Sequence, residues 1–311
     1  MKIIVTGSIA YDYLMSFPGS FSEHLLPEHL QRVSLSFLVD SMDKRRGGCA
    51  PNIAYTLALL GERPHLMATA GQDFDEYRRW LDAAGIDTTL VKQIPEKFTA
   101  SFFCSTDREG NQIASFYTGA MAHAAELSFH AVGPCQLAII SPNDPGAMVQ
   151  YADECRTLGI PYMFDPSQQV ARMGGDDLKR GVVGARFVIC NDYEFEIIRE
   201  KTGMGERDML EHAEAVIVTK GEKGASIVLR DRTISIPAVP PTQIVDPTGV
   251  GDAFRGGFMK GLARGADYET CGRLGSVAAT YVLEHMGGSS HTYTWDEFKA
   301  RYEEQFGPLS L

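Results

Sequence analysis

Residues 246 to 257 read Asp246-Pro247-Thr248-Gly249-Val250-Gly251-Asp252-Ala253-Phe254-Arg255-Gly256-Gly257, and few folds have a use for such a run. Apolar residues lead into it as far as Val245. Beyond it Phe254, Phe258, Met259 and Leu262 recur at helical spacing, which predicts a strand, a turn and then a helix. Gly249 and Gly251 leave backbone N–H groups uncovered, and a helix start adds unpaired N–H groups and the positive end of the helix dipole. Together these form a cradle for an anion. Asp252 sits inside it, where a carboxylate repels phosphate. One use for an Asp at a helix N-terminus is capping. The other is chemical: a general base that takes a proton from a hydroxyl while the cradle holds a phosphoryl group.

Elsewhere short apolar runs alternate with helical patterns. Strands are expected at Lys2–Gly7, His65–Ala70, Leu137–Ser141, Tyr162–Phe164, Phe187–Cys190 and Val216–Thr219. Helices are expected at Phe74–Ala84, Pro145–Leu158, Tyr268–Glu284 and Trp295–Phe306. Asp165, Asn191 and Thr219 end three of these strands, as polar residues do along the ligand crevice of a doubly wound α/β sheet. No repeat or linker divides residues 1–311, so a single α/β domain is expected. Two stretches leave the pattern, approximately 13–46 and 98–118. The first contains a strand-like alternation from Val33 to Val39. The second reads as a hairpin, Thr99–Thr106 and Gln112–Tyr117, joined by the polar turn Asp107–Asn111. Both are candidates for a small β lid over a site.

The net charge is −11 and the pI about 5.2, which excludes nucleic acid as a partner, because neutralising a phosphate backbone needs a basic face. The six cysteines (49, 104, 135, 155, 190 and 271) show no Cys-x-x-Cys spacing, so reduced thiols in a cytoplasmic protein are expected. The apolar run at the N-terminus is too short for a signal peptide, and nothing approaches transmembrane length, so no membrane partner is expected. No Gly-x-x-x-x-Gly-Lys-[Ser/Thr] run is present, which excludes a P-loop. The eight histidines lack a ligand spacing such as His-x-x-x-His, which argues against a metal-dependent hydrolase.

The run from Asp246 resembles the second signature of the ribokinase-like (PfkB) family of sugar and nucleoside kinases, Asp-Thr-Thr-Gly-Ala-Gly-Asp. It departs from that pattern at Pro247 and Val250, neither of which removes a side chain the chemistry needs. Gly47-Gly48-Cys49-Ala50-Pro51-Asn52 resembles the family's first mark, Gly-Gly-x-x-x-Asn, which grips sugar hydroxyls. Asn191-Asp192-Tyr193-Glu194 is similar to its Asn-x-x-Glu, and Thr219-Lys220-Gly221-Glu222-Lys223-Gly224 to its Thr-x-Gly-x-x-Gly. These marks run along nearly the whole chain in the family's order.

The resemblance implies a three-layer αβα sandwich with a mainly parallel sheet and a small β lid. It implies that Asp12 accepts hydrogen bonds from two sugar hydroxyls, with Ser8, Gly47, Gly48 and Asn52 beside it, and that Asp252 is the base. The N–H groups of Gly249, Val250 and Gly251 would form the anion hole. ATP would meet Asn191, Thr219, Gly221, Gly224 and Thr248. Mg2+ would be placed through water by Glu194, and a monovalent cation such as K+ would lie at Asp246. Arg255 is read either as a phosphate contact or as half of a salt bridge. An aromatic lid (Phe37, Phe102, Phe116) suits a flat base. The expected activity is ATP-dependent phosphorylation of a nucleoside 5′-hydroxyl, adenosine first. A ribose or fructose kinase is the alternative within the family, and a non-catalytic nucleotide sensor the alternative outside it. The sequence leaves monomer and homodimer equally open.

Overall fold

A computed structural model describes residues 2–24 and 34–311 of the chain. Leu25, Leu26 and Val33, part of the first lid stretch, lie outside the described residues.

The short apolar runs become the strands of an eight-stranded sheet. Ile3–Thr6 pairs in parallel with both His65–Met67 and Leu137–Ile140. From Leu137–Ile140 the parallel pairing continues through Tyr162–Phe164 and Phe187–Asn191 to Ala215–Thr219. Ala225–Val228 and Thr233–Ile236 add antiparallel edge strands. Successive side chains point to opposite faces of a strand, and here both faces are covered. Ile3, Val5, Leu137 and Ile139 enter one buried cluster, while Ile4, Ala138 and Ile140 enter another. Each fully buried aliphatic side chain of this kind contributes roughly 1.5–3 kcal/mol. Helices lie against both faces, giving the three-layer α/β architecture that the alternation predicts.

The helix Val250–Ala263 packs closely on Tyr268–Leu283. A Cβ on Gly257 would stand 2.5 Å from the Leu274 carbonyl oxygen, so the second glycine of the Gly256-Gly257 pair serves the approach of two helices. It has no part in the chemistry.

A second, four-stranded sheet forms the lid, in the order Ser41–Gly47, Ala10–Ser16, Ala100–Thr106, Gln112–Tyr117. The hairpin stands where its alternation placed it. The first stretch differs from expectation in two ways. Its sheet begins at Ala10, so Asp12 lies within a lid strand rather than at the end of a core strand. Its second strand is the polar run Ser41–Gly47, while residues 34–39 take no strand. Register explains this: Ala10 to Ser16 pair residue by residue with Gly47 to Ser41, and an exposed ribbon held by backbone hydrogen bonds needs no apolar alternation. The expected strand before Asp246 is also absent; Ile244 and Val245 run irregularly and exposed. His65–Ala70 divides, and Thr69–Gly71 pairs with Lys92–Ile94 in a separate two-stranded sheet.

Candidate active site

At the head of Val250–Ala263, Gly249 is the N-cap in the left-handed region, φ 80° and ψ −1°. A Cβ there would also meet the Gly288 Cα at 2.5 Å. Both facts require glycine. The backbone N–H groups of Gly249, Gly251 and Asp252 have no hydrogen-bond partner among the described residues, whereas that of Val250 points to the Pro247 carbonyl at 3.3 Å. The open donors therefore include the N–H of Asp252 itself, and Val250 is partly engaged. Asp246 shapes the turn from below. Its two carboxylate oxygens accept from Thr248 N and Gly287 N, each at 2.9 Å.

Asp252, in the first helical turn, accepts a hydrogen bond from Asn52 Nδ2 at 2.8 Å. Burial pushes its pKa up; the Arg255 guanidinium, the Asn52 amide and the Cys49 thiol oppose that shift. A carboxyl raised in this way accepts a proton more readily than a free one, which suits a base. Of the two roles read for Arg255, the salt bridge is formed. The side chain is buried, and its Nη2 donates to Asp165 Oδ1 at 2.5 Å, while its Nη1 would meet a Cβ on Gly251 at 2.7 Å. Burial raises the Asp165 carboxyl, and Arg255 counters it.

Asn52 lies on the helix Cys49–Leu59, which starts at Gly47-Gly48. The Asp12 carboxylate lies over Gly47, where a Cβ would come within 2.5 Å of Oδ2. A Cβ on Gly48 would collide with the Ser8 carbonyl, and Cys49 N donates to Ser8 Oγ at 3.4 Å. One glycine pair therefore brings Ser8, Asp12 and Asn52 around a single helix start, and Asn52 ties that start to Asp252. The Asp12 pKa is pushed up to about 6 by burial, with Arg45 opposing and Asp246 adding to the shift.

The lid register places Asp12, Phe102 and Phe116 in one row, since Asp12 pairs with Phe102 and Phe102 with Phe116. Cross-strand partners share a face, so the two rings stand beside the Asp12 carboxylate. Phe37 is placed elsewhere. Its ring packs on Phe17 and Phe21, with centroids 5.0 and 4.9 Å away, in an aromatic cluster of the lid's own.

Asn191 and Glu194 form a capping box at a strand-to-helix junction: Glu194 N donates to Asn191 Oδ1 at 2.7 Å, and Asn191 N to Glu194 Oε2 at 2.8 Å. Thr219 is the sheet neighbour of Asn191. Gly221 and Gly224 follow with φ of 57° and 79° in the connection to the antiparallel edge. All of these stand at the carboxyl ends of the parallel strands, on the side of the signature turn. A cavity of about 920 Å³ lined by Arg156, Arg186 and Glu214 opens at the opposite, amino ends of the strands, away from every residue above.

Three residues around the site carry no mark of their own in the sequence. Ser167 is the one non-glycine residue with positive φ among the described residues, at 40°. Its hydroxyl donates to Glu194 Oε1 at 3.3 Å. Gln168 Nε2 donates to the Cys49 sulfur at 3.7 Å. Arg45 faces Asp12 across the lid. The Phe164-Asp165-Pro166 run that ends a strand is the only sequence signal near Ser167 and Gln168.

A buried carboxylate beside free N–H donors on a helix start, with a second carboxylate under a lid, is the arrangement of a phosphotransferase acting on an alcohol. The pfkB family carbohydrate kinase profile matches residues 8–295, and the chain belongs to that family. Among solved structures, the nucleoside kinase of Burkholderia thailandensis in complex with inosine superposes with a TM-score of 0.88 at 39% identity, covering 98% of each chain. The nucleoside kinase of Methanocaldococcus jannaschii gives 0.87 at 30% identity, covering 98% of this chain and 99% of that one. The nucleoside kinase of Methanothermobacter thermautotrophicus is 31% identical over 309 residues, which is 98% of this chain and 96% of that protein. The six cysteines are free thiols, and no helix among the described residues is long and apolar enough to cross a membrane.

Proposed function

We propose that this kinase transfers the γ-phosphoryl group of ATP to the 5′-hydroxyl of a purine nucleoside, with adenosine and inosine as the first substrates to test. The observation that carries this reading is the link from Asp12 through the Gly47-Gly48 turn and Asn52 to Asp252. One acid stands where a sugar diol can be gripped and the other where the next hydroxyl can be deprotonated. Asp252 takes the acceptor proton as the phosphoryl group arrives, and the N–H groups of Gly249, Gly251 and Asp252 stabilise its oxygens. Donors aimed in advance in this way are worth roughly 3–4 kcal/mol each in well-studied sites. The Phe102–Phe116 row offers a flat apolar wall next to Asp12, which favours a nucleoside over a free sugar. The Burkholderia relative, solved with inosine and with ADP-inosine, supports both halves of the reading.

Glu194 is buried but keeps carboxylate lone pairs beyond its capping bonds, so it suits a magnesium ion held through water. Bound magnesium would neutralise charge on the ATP phosphates. Asp246 fits a monovalent cation poorly: both of its oxygens accept backbone N–H groups, and Arg45 Nη1 stands 3.8 Å from Oδ2. No step is assigned to such an ion.

A coupled ADP-release assay across adenosine, inosine, cytidine, ribose and fructose tests the reading, with the product identified as a 5′-monophosphate. Turnover confined to free sugars would end it.

A further inference from the structure

Arg45 lies on the lid strand Ser41–Gly47, directly opposite Asp12 in the register. Its side chain is about one-quarter exposed, at 26%. Nε donates to Asp43 Oδ2 at 2.6 Å, and Nη1 reaches Asp246 Oδ2 at 3.8 Å. Its stem also packs over Gly287, where a Cβ would be 3.8 Å from Arg45 Cδ. Asp246 is more than a surface partner for this charge. Through Thr248 N and Gly287 N it joins the signature turn to the loop after Tyr268–Leu283. That loop in turn closes on the site: Gly288 packs against Asn52, and a Cβ on Gly249 would meet Gly288. A continuous set of contacts thus runs from the lid strand to the residues that shape the N–H cradle and hold the base.

Resting on the nucleoside-kinase reading above, we infer that Arg45 is a positioning residue that ties the lid to the anion-hole turn, so that seating a sugar on Asp12 and setting the phosphoryl cradle are coupled. Three carboxylates (Asp12, Asp43 and Asp246) face this single guanidinium. Without it they repel one another across the gap the lid must bridge, and the lid strand drifts from the turn. A salt bridge of purely structural worth at this exposure would matter little, because exposed pairs contribute about 0–1 kcal/mol.

The test is a double-mutant cycle with Arg45→Met and Asp246→Asn on the full chain, reading kcat, nucleoside KM and thermal unfolding. Each single substitution is expected to lower kcat about tenfold, with the double variant no more than about twofold below the worse single one, because the two act as one connection. Arg45→Lys, which keeps the charge but loses reach, should recover part of kcat. Midpoints of unfolding should stay within about 2 °C of wild type, as befits a partly exposed pair. Multiplicative losses, or an Arg45→Met protein with unchanged kcat, overturn the inference while leaving the nucleoside-kinase reading intact. A wild-type protein inactive on every nucleoside overturns both.

Discussion

The signature turn and the lid sheet face one crevice but are built in opposite ways. In the turn two glycines bare the backbone, and Gly249 meets Gly288 with no room for a Cβ. Asp252 is held by Asn52 from one side and backed by the buried Arg255–Asp165 pair. In the lid, four strands keep one another in register through backbone bonds, while Phe103, Ile113, Phe116 and Met42 remain well exposed. The difference is one of tolerance. In the proposed mechanism, chemistry at the turn depends on sub-ångström placement of donors and base, and close packing suits that. In the same proposal, recognition under the lid depends on contact with a ring and two hydroxyls, which an exposed ribbon can supply. Substitutions in the turn should therefore act on kcat and those in the lid on KM, except at Arg45, which joins the lid to the turn and should act on kcat.

The largest effect should come from Asp252→Asn, which keeps the Asn52 neighbour and the volume but removes the base. The loss in kcat is expected at roughly 10²–10⁴-fold, with adenosine binding by calorimetry nearly unchanged. Full turnover in this variant would remove Asp252 from the mechanism. The raised pKa of Asp252 also gives kcat an acid limb: activity falls as pH drops and the base becomes protonated.

Gly249→Ala comes next. The left-handed φ and the collision with Gly288 displace the turn, and loss of one well-placed donor costs about 10²-fold in kcat. Nucleoside KM should move little. A large rise in KM with kcat preserved would break the division between the two regions.

Asp12→Asn belongs to the lid side. Nucleoside KM is expected to rise about 10–100-fold, since charge-assisted hydrogen bonds to two hydroxyls become neutral ones, while kcat at saturation falls much less. The same acid yields a pH signature. Its pKa is about 6, so the ionised form is lost as pH falls through that value. Nucleoside KM in the wild type should then climb about tenfold per unit below it, and in Asp12→Asn this slope should be absent.

Phe116→Ala should give the smallest effect. It is 48% exposed, and removing one ring from the flat wall should raise KM for adenosine about three- to tenfold. KM for ribose should be unaffected. Equal effects on both would deny the ring a role in base recognition.

Much of the fold was legible along the chain because parallel strands buried on both faces must be short apolar runs, and these ended at Asp165, Asn191 and Thr219 as the crevice requires. The proposed base was also marked in the sequence: glycines at 249 and 251 with an acid next to them have few other uses. The second lid strand was not. Ser41–Gly47 is polar and carries no period; it is a strand because Ala10–Ser16 offers it a partner. Nor was the packing of Phe37 on Phe17 and Phe21, since an aromatic in an apolar alternation gives no sign of which rings it will meet.

Local chemistry alone therefore pointed to the class of reaction, the candidate acid and the layered α/β frame, because glycine conformations, helix ends and apolar periodicity act within a few residues. Contacts across long separations were decided only on folding. Asn52 reaches Asp252 across 200 residues, Arg255 pairs with Asp165, and Arg45 stands near Asp246. Such pairings depend on which strands and loops share an edge of the sheet, and no single stretch of sequence carries that information.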